Sequence, residues 1–163
     1  MNIHLQTALR YWETMRWLKP GQLFGRVWFR LATPSIDSNP APQRRSQSAA
    51  WVAPARRSPS LIGAGEFRFL NLDGMLAEIG WDGPQREKLW RYNQHYFEDL
   101  IAFDAGARRD WHQAILNDWL EKNPPAQGNA WEPYPLSLRI VNWIKWTLNG
   151  ESLSATLSHS LAI

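Results

Sequence analysis

Trp131-Glu132-Pro133-Tyr134-Pro135-Leu136-Ser137-Leu138-Arg139-Ile140-Val141-Asn142-Trp143-Ile144-Lys145-Trp146 is the stretch on which the fold turns. Its two X-Pro steps disfavour the α region for Glu132 and Tyr134 and predict an extended entrance. Pro135 suits the first position of a helix, where its missing N–H is not needed. Leu136, Ile140, Trp143, Ile144 and Thr147 then recur at amphipathic helical spacing. The expectation is a rigid aromatic and acidic lip, formed by Trp131, Glu132 and Tyr134, that feeds a core helix. Arg139 sits at the edge of the predicted stripe. Its guanidinium either lies along an indole face with its donors outward, or is a solvated charge snorkelling over tryptophan.

Outward from that stretch, 163 residues suffice for one domain with a sizeable core. Eleven tryptophans imply either a helical core packed around indoles or platforms for flat ligands, sugar rings or nucleic-acid bases among them. The net charge of +3 matches the excess within Ala32–Gly65 alone, where Arg44, Arg45, Arg56 and Arg57 face only Asp37. The remainder sums to zero, which argues against nucleic acid as a partner. Cysteine is absent, which excludes disulfides and thiolate chemistry. No long apolar run predicts a membrane span, and the polar first twelve residues do not read as a signal peptide.

Leu5, Ala8, Leu9 and Trp12 predict one helix, and Phe24, Val27, Trp28 and Leu31 a second beyond Lys19-Pro20. Residues 1–32 therefore read as a helical hairpin whose aromatic stripes need a partner. Residues 33–65, rich in Pro, Ser, Ala, Gln and Arg, read as a disordered, flexible connector that Trp51 could pin at one point. Phe67 to Leu70 predicts a short extended piece, and Asn71-Leu72-Asp73-Gly74 a turn.

A helix is expected from about Gln85 to Phe103, with Leu89, Trp90, Tyr92, Tyr96, Phe97, Leu100 and Ile101 on one wide face. Asn93 falls within that face, so its carboxamide is either tied to neighbouring backbone or lines a polar cavity. His95 borders the face, where Asp99 four residues on is placed to orient its imidazole; it reads as a structural residue or an acid-base group. A third helix spans about Arg108 to Lys122 on a stripe of Trp111, Ile115 and Trp119, and Asn123-Pro124-Pro125 ends it. Ser152 reads as the N-cap of a last helix, which runs to Ile163 without a stop signal. The chain is accordingly expected to be the front part of a longer protein.

No phosphate loop, dinucleotide fingerprint, nucleophile elbow or paired metal-ligating histidines appear, so neither a cofactor nor a metal is expected. Asn, His, Tyr, Glu and Arg among tryptophans suit carbohydrate, through stacking, directional bonds to hydroxyls, and Arg for a sugar carboxylate or sulfate.

Four segments in order, Y-W-E-T-M-R-W-L-K-P-G-Q-L-F-G-R-V-W-F-R-L, E-F-R-F-L-N, L-W-R-Y-N-Q-H-Y-F-E-D-L and the stretch from Trp131 to Trp146, resemble the amino-terminal region of heparinase II/III-like proteins, polysaccharide lyases and their relatives. The resemblance implies a mostly all-α fold in which residues 66–163 form part of a truncated α/α toroid, with a β-sandwich region to follow. It also implies β-elimination at a uronic acid of an acidic polysaccharide, and a periplasmic location where sequence alone would leave the chain cytoplasmic. The family's Asn-His catalytic motif is expected after the end of this sequence, so no catalytic residue is assigned and residues 1–163 alone are expected to be inactive. Asn93, His95, Tyr96, Trp131, Glu132, Tyr134 and Arg139 lie within the matched motifs and are the expected substrate-groove residues. The alternative from another class is a non-catalytic carbohydrate-binding or scaffold protein in bacterial polysaccharide assembly.

Overall fold

A computed structural model describes residues 3–32, 35–43, 45–46 and 49–163, without side chains for residues 3–5 and 8. Leu5 and Ala8 of the first predicted stripe, and Arg44 of the connector, thus lie outside the described side chains. Helices dominate, with one small sheet. The chain divides into two compact units, residues 1–35 and 36–163.

The first unit holds α1 (Ile3–Met15) and α2 (Pro20–Leu31). Pro20 opens α2 at its first position, and the side-chain carbonyl of Gln22 accepts the Lys19 N–H at 3.0 Å, which satisfies one donor that a helix start leaves over.

The second unit begins with extended chain. The Trp51 indole donates to Asn149 Oδ1 at 2.7 Å, the pinning point expected of it, and Arg57 pairs with Glu98 at 3.2 Å. Three antiparallel strands follow in order: β1 (Leu61–Gly63), β2 (Glu66–Phe69) and β3 (Leu72–Met75). The end of the stretch read as connector is therefore a strand. Alternation along β2 buries Phe67 and Phe69 and exposes Arg68, which faces Asp73 across the ladder at 2.6 Å. The turn expected at Asn71–Gly74 lies instead at Leu70-Asn71, both at positive φ, and pairs Phe69 with Leu72. Gly74 has no room for a side chain: a Cβ there would sit 2.7 Å from the Trp90 ring.

After the helical turn α3 (Leu76–Ile79), α4 covers only Lys88–Tyr96, shorter than expected. Phe97 adopts the left-handed region at φ 55°, and a 3-10 turn, Glu98–Ile101, carries the chain away. The break drives the Phe97 ring between Trp81, Trp119 and Trp143, with centroids 5.9, 6.0 and 5.6 Å away. It also leaves Leu89 of the predicted face exposed and Gln94 buried.

α5 (Arg109–Lys122) buries Ile115, Leu116 and Trp119, close to the predicted stripe. α6 (Pro133–Leu148) starts two residues before the expected Pro135, so Tyr134 is helical rather than extended. Both prolines fall in the first turn, where no intrahelical acceptor awaits an N–H, and the Leu136 N–H reaches the Glu132 carbonyl at 3.0 Å. The buried stripe of α6 is also turned from the predicted one. It is Pro135, Arg139, Asn142, Trp143 and Trp146, and Ile144 is exposed. Two indoles carry more apolar area than Leu136 and Ile144, so they set the face and take Arg139 and Asn142 inside with them. α7 (Ala155–Ala162) is capped by Ser154, not Ser152: its hydroxyl accepts the Leu157 N–H at 3.2 Å. α4 packs on α6 and α5 on α7, around one core that runs from Leu61 to Leu157. Among the described residues no helix is long and apolar enough to cross a membrane.

Candidate functional site

Six of the seven predicted residues separate into a surface cluster and an interior cluster. At the surface, the start of α6 faces the first turns of α4. Glu132 ends an extended step and accepts from Lys88 Nζ at 2.9 Å and from the Tyr92 hydroxyl. Lys88 also lies 5.1 Å over the Tyr92 ring. The Tyr92 and Lys88 donors hold the Glu132 carboxyl below its usual range, and Tyr92 and Glu132 raise the Lys88 ammonium. One helical turn on, Tyr134 is 59% exposed, and its ring meets Tyr96 edge to face at 5.6 Å. Tyr96 is buried with its hydroxyl unpaired; burial, then Tyr134, Glu98 and Tyr92, push it up to about 12. A lysine, a carboxylate and three phenols thus lie together, and of the three rings Tyr134 is the exposed one, with one edge contact to Tyr96.

Arg139 and His95 belong to the interior. Arg139 is 1% exposed, so neither sequence reading of it holds. The guanidinium does lie on indoles, 4.2 Å from the Trp119 centroid, 4.7 Å from Trp131 and 5.9 Å from Trp143. One of its nitrogens donates to the Ala130 carbonyl, and among the described residues no carboxylate pairs with it. Burial lowers its pKa to about 9, which leaves it charged at neutral pH. Trp131 is fixed by donation from its indole to the Asn123 carbonyl at 3.2 Å. His95 is fully buried and stacks 5.7 Å from Trp81. Its Nδ1 accepts the Trp119 N–H at 3.1 Å, so the neutral ring carries its proton on Nε2. Burial, then the Arg139 charge, lower its pKa to about 3.

Asn93 joins neither cluster; its amide donates to the Leu89 carbonyl at 2.7 Å, the backbone-tied alternative. Asp99 does not orient His95, because the break at Phe97 turns it toward β1. There it accepts from the Ser60 and Leu61 N–H groups at 2.7 and 3.0 Å, from Arg108 at 2.8 Å and from His112 Nε2 at 2.7 Å. Burial alone would raise the Asp99 carboxyl, but these four donors outweigh it and hold it at about 2.

Lys88, Tyr92, Gln94, Asn142, Asp99 and His112 escaped the site prediction. For the first two a signal existed: Lys88 and Tyr92 are four apart on one helix, which places them on one face. Asn142 gave none, since its role, donation to the Tyr96 carbonyl at 2.8 Å, follows from the turned face of α6. Among the described residues no group of three or more His, Asp or Glu is arranged to hold a metal ion. A further recess of about 290 Å³ lies at the opposite end of α6, near Arg56, Trp146 and Asn149, where Arg109 and Glu151 pair with each other at 2.7 Å.

Chemically, the surface cluster offers a flat apolar ring, charged donors and a carboxylate to a polyhydroxylated ligand. The interior cluster fixes its framework. Comparison with protein-family models, with curated proteins and with solved structures finds no match to this chain.

Proposed function

We propose that residues 36–163 are the saccharide-binding helical arc of a heparinase II/III-like protein, and that the surface cluster contacts an acidic polysaccharide. The observation that carries this reading is the exposed Tyr134 ring beside the Lys88–Glu132–Tyr92 cluster. A pyranose presents an apolar C–H face to a ring such as Tyr134 while its hydroxyls meet Glu132 and the phenols. A uronate carboxylate competes with Glu132 for Lys88. The alternate packing of α4 on α6 and α5 on α7 supports the toroid, because two concentric helical layers bring every second helix side by side.

Within a lyase, this arc binds and orients the polymer, and proton transfer at C5 belongs to other residues. Neither His95 nor Tyr96 is matched to that step near neutrality: burial holds the first at about 3 and the second at about 12. The same values favour the second reading, a carbohydrate-binding protein without catalysis.

Binding of an acidic polyuronate to residues 1–163, followed by affinity electrophoresis and calorimetry, tests the proposal. Tyr134→Ala and Lys88→Ala are each expected to weaken binding about tenfold, the effect of losing one stacking or charged contact. Arg68→Ala, on the sheet, leaves it unchanged. Polyuronate binding that ignores Tyr134 and Lys88, or no binding at all, refutes the site. The ultraviolet absorbance of unsaturated uronate is expected to stay flat with this chain alone.

A further inference from the structure

The neutral sum outside the connector conceals a strong asymmetry. Residues 1–31 carry Arg10, Arg16, Lys19, Arg26 and Arg30 against a single acid, Glu13, whereas residues 66–163 hold thirteen acids and nine bases. The basic excess therefore sits on the first two helices, where a sequence-wide charge sum misses it. Glu13 is itself paired with Arg16 at 3.1 Å, and Arg16 lies 5.1 Å over the Trp17 ring.

No described side chain of α1 or α2 is buried. At 100° per residue, Leu23, Val27, Leu31, Phe24 and Trp28 form one continuous apolar arc of α2, with Arg26 and Arg30 along one edge. Phe24 and Trp28 stack at 6.1 Å, which stiffens the arc. On α1, Leu9, Trp12 and Met15 form the corresponding face, and Arg10, Glu13 and Thr14 lie on the other. Trp17 at the turn is 76% exposed, and Phe29 of α2, away from the arc, is 84% exposed.

We infer that the α1–α2 segment is an interfacial membrane anchor that lies on an anionic lipid surface. Tryptophan and phenylalanine on the apolar arcs enter the boundary between headgroups and acyl chains, and the flanking arginines meet lipid phosphates. Helices of thirteen and twelve residues reach only about 20 Å, too short to span the hydrocarbon and suited to lying along its surface. The charge sign selects the lipid: five cations against one anion fit an acidic leaflet and gain little from a zwitterionic one. A protein groove is the poorer fit, since the apolar surface extends beyond the arcs to Phe29 and to Trp17 at the turn, both exposed.

The full chain is mixed with vesicles of phosphatidylcholine and phosphatidylglycerol in equal parts, and with vesicles of phosphatidylcholine alone. Co-sedimentation and tryptophan emission read the partition. The expected result is binding to the anionic vesicles with a blue shift, and binding at least about tenfold weaker to the neutral ones or in high salt. Phe24→Gln with Trp28→Gln, and separately Arg26→Glu with Arg30→Glu, each reduce anionic binding by at least about tenfold. Unchanged far-ultraviolet dichroism shows that the fold survives, and the salt series on the unaltered chain is independent of any variant. Equal partition to both vesicles, no partition, or self-association through this segment in sedimentation velocity overturns the inference. None of these readings involves polysaccharide, so the anchor and the saccharide site stand or fall separately.

Discussion

Arg139 is a cation among three indoles that pairs with no carboxylate among the described residues. Its planar, weakly hydrated guanidinium tolerates that setting because its faces lie on π-systems and one of its nitrogens donates to the Ala130 carbonyl, although Nη2 is buried without a partner. Lysine offers a compact, strongly hydrated charge and no plane to lay on the rings. Arg139→Lys is therefore expected to destabilise by about 2–4 kcal/mol, and Arg139→Met by less, since methionine fills the slot without burying a charge. Urea midpoints order the three proteins; a lysine variant as stable as the parent would refute this account of the indole cage. His95 gives a second test at the same scale. The folded chain holds its imidazole neutral down to about pH 3, whereas the unfolded chain takes up a proton from about 6.5 downward. Its contribution to stability is complete above pH 6.5 and is lost as pH falls toward 3. His95→Gln keeps an acceptor for the Trp119 N–H and cannot titrate, so its urea midpoint should fall less steeply between pH 6.5 and 4. The Asp99 carboxyl contributes a separate loss only below its usual value of 3.8.

At the level of elements, two of the left-handed positions are the informative ones, Leu70-Asn71 and Phe97. Leu70 and Asn71 both have positive φ, which suits the twist of a two-residue hairpin but strains a leucine. Leu70 is more than half exposed, so Leu70→Asn loses little burial and is expected to stabilise by about 1 kcal/mol. Gly74→Ala should cost more than about 2 kcal/mol, because the new methyl meets Trp90 and Ile79 in a packed layer. Thermal unfolding of both variants checks the opposite signs. These same positions mark the limit of what sequence reveals. α5 was readable because Ile115 and Trp119 recur at helical spacing and Pro124 closes the run. β3 was not, because Leu72-Asp73-Gly74 has the composition of a turn, and the glycine is there for the Trp90 ring. Nor was the end of α4, since Phe97, Leu100 and Ile101 continue the helical period that Phe97 itself interrupts. Of the candidate site, Glu132 and Tyr134 were legible from a motif at a helix start. The burial of Arg139 depended on which face α6 turns inward, set by Trp143 and Trp146, and that of His95 on Trp81 and Trp119 from other segments.

For the whole molecule the decisive contrast is between two ways of holding a helix. Every residue of the core cluster lies between Leu61 and Leu157, where indoles, Phe97 and buried polar groups interlock. α1 and α2 bury nothing that the structure describes, and helices of their length are marginal in water without a packed face. The two units should accordingly differ in cooperativity. Residues 36–163 alone are expected to retain the near-ultraviolet tryptophan dichroism of the core and a single urea transition within about 1 kcal/mol of the full chain. By hydrogen exchange, amides of α5 and α6 should open only with global unfolding, and those of α1 and α2 should exchange within a few tens of times the free-peptide rate. Anionic vesicles should then slow exchange in α1 and α2 and leave α5 and α6 as they were, because the lipid replaces the packing that these two helices lack. Protection of α1 and α2 in the absence of lipid, or collapse of the core when residues 1–35 are removed, would mean that the aromatic arcs belong to the protein interior and not to a surface.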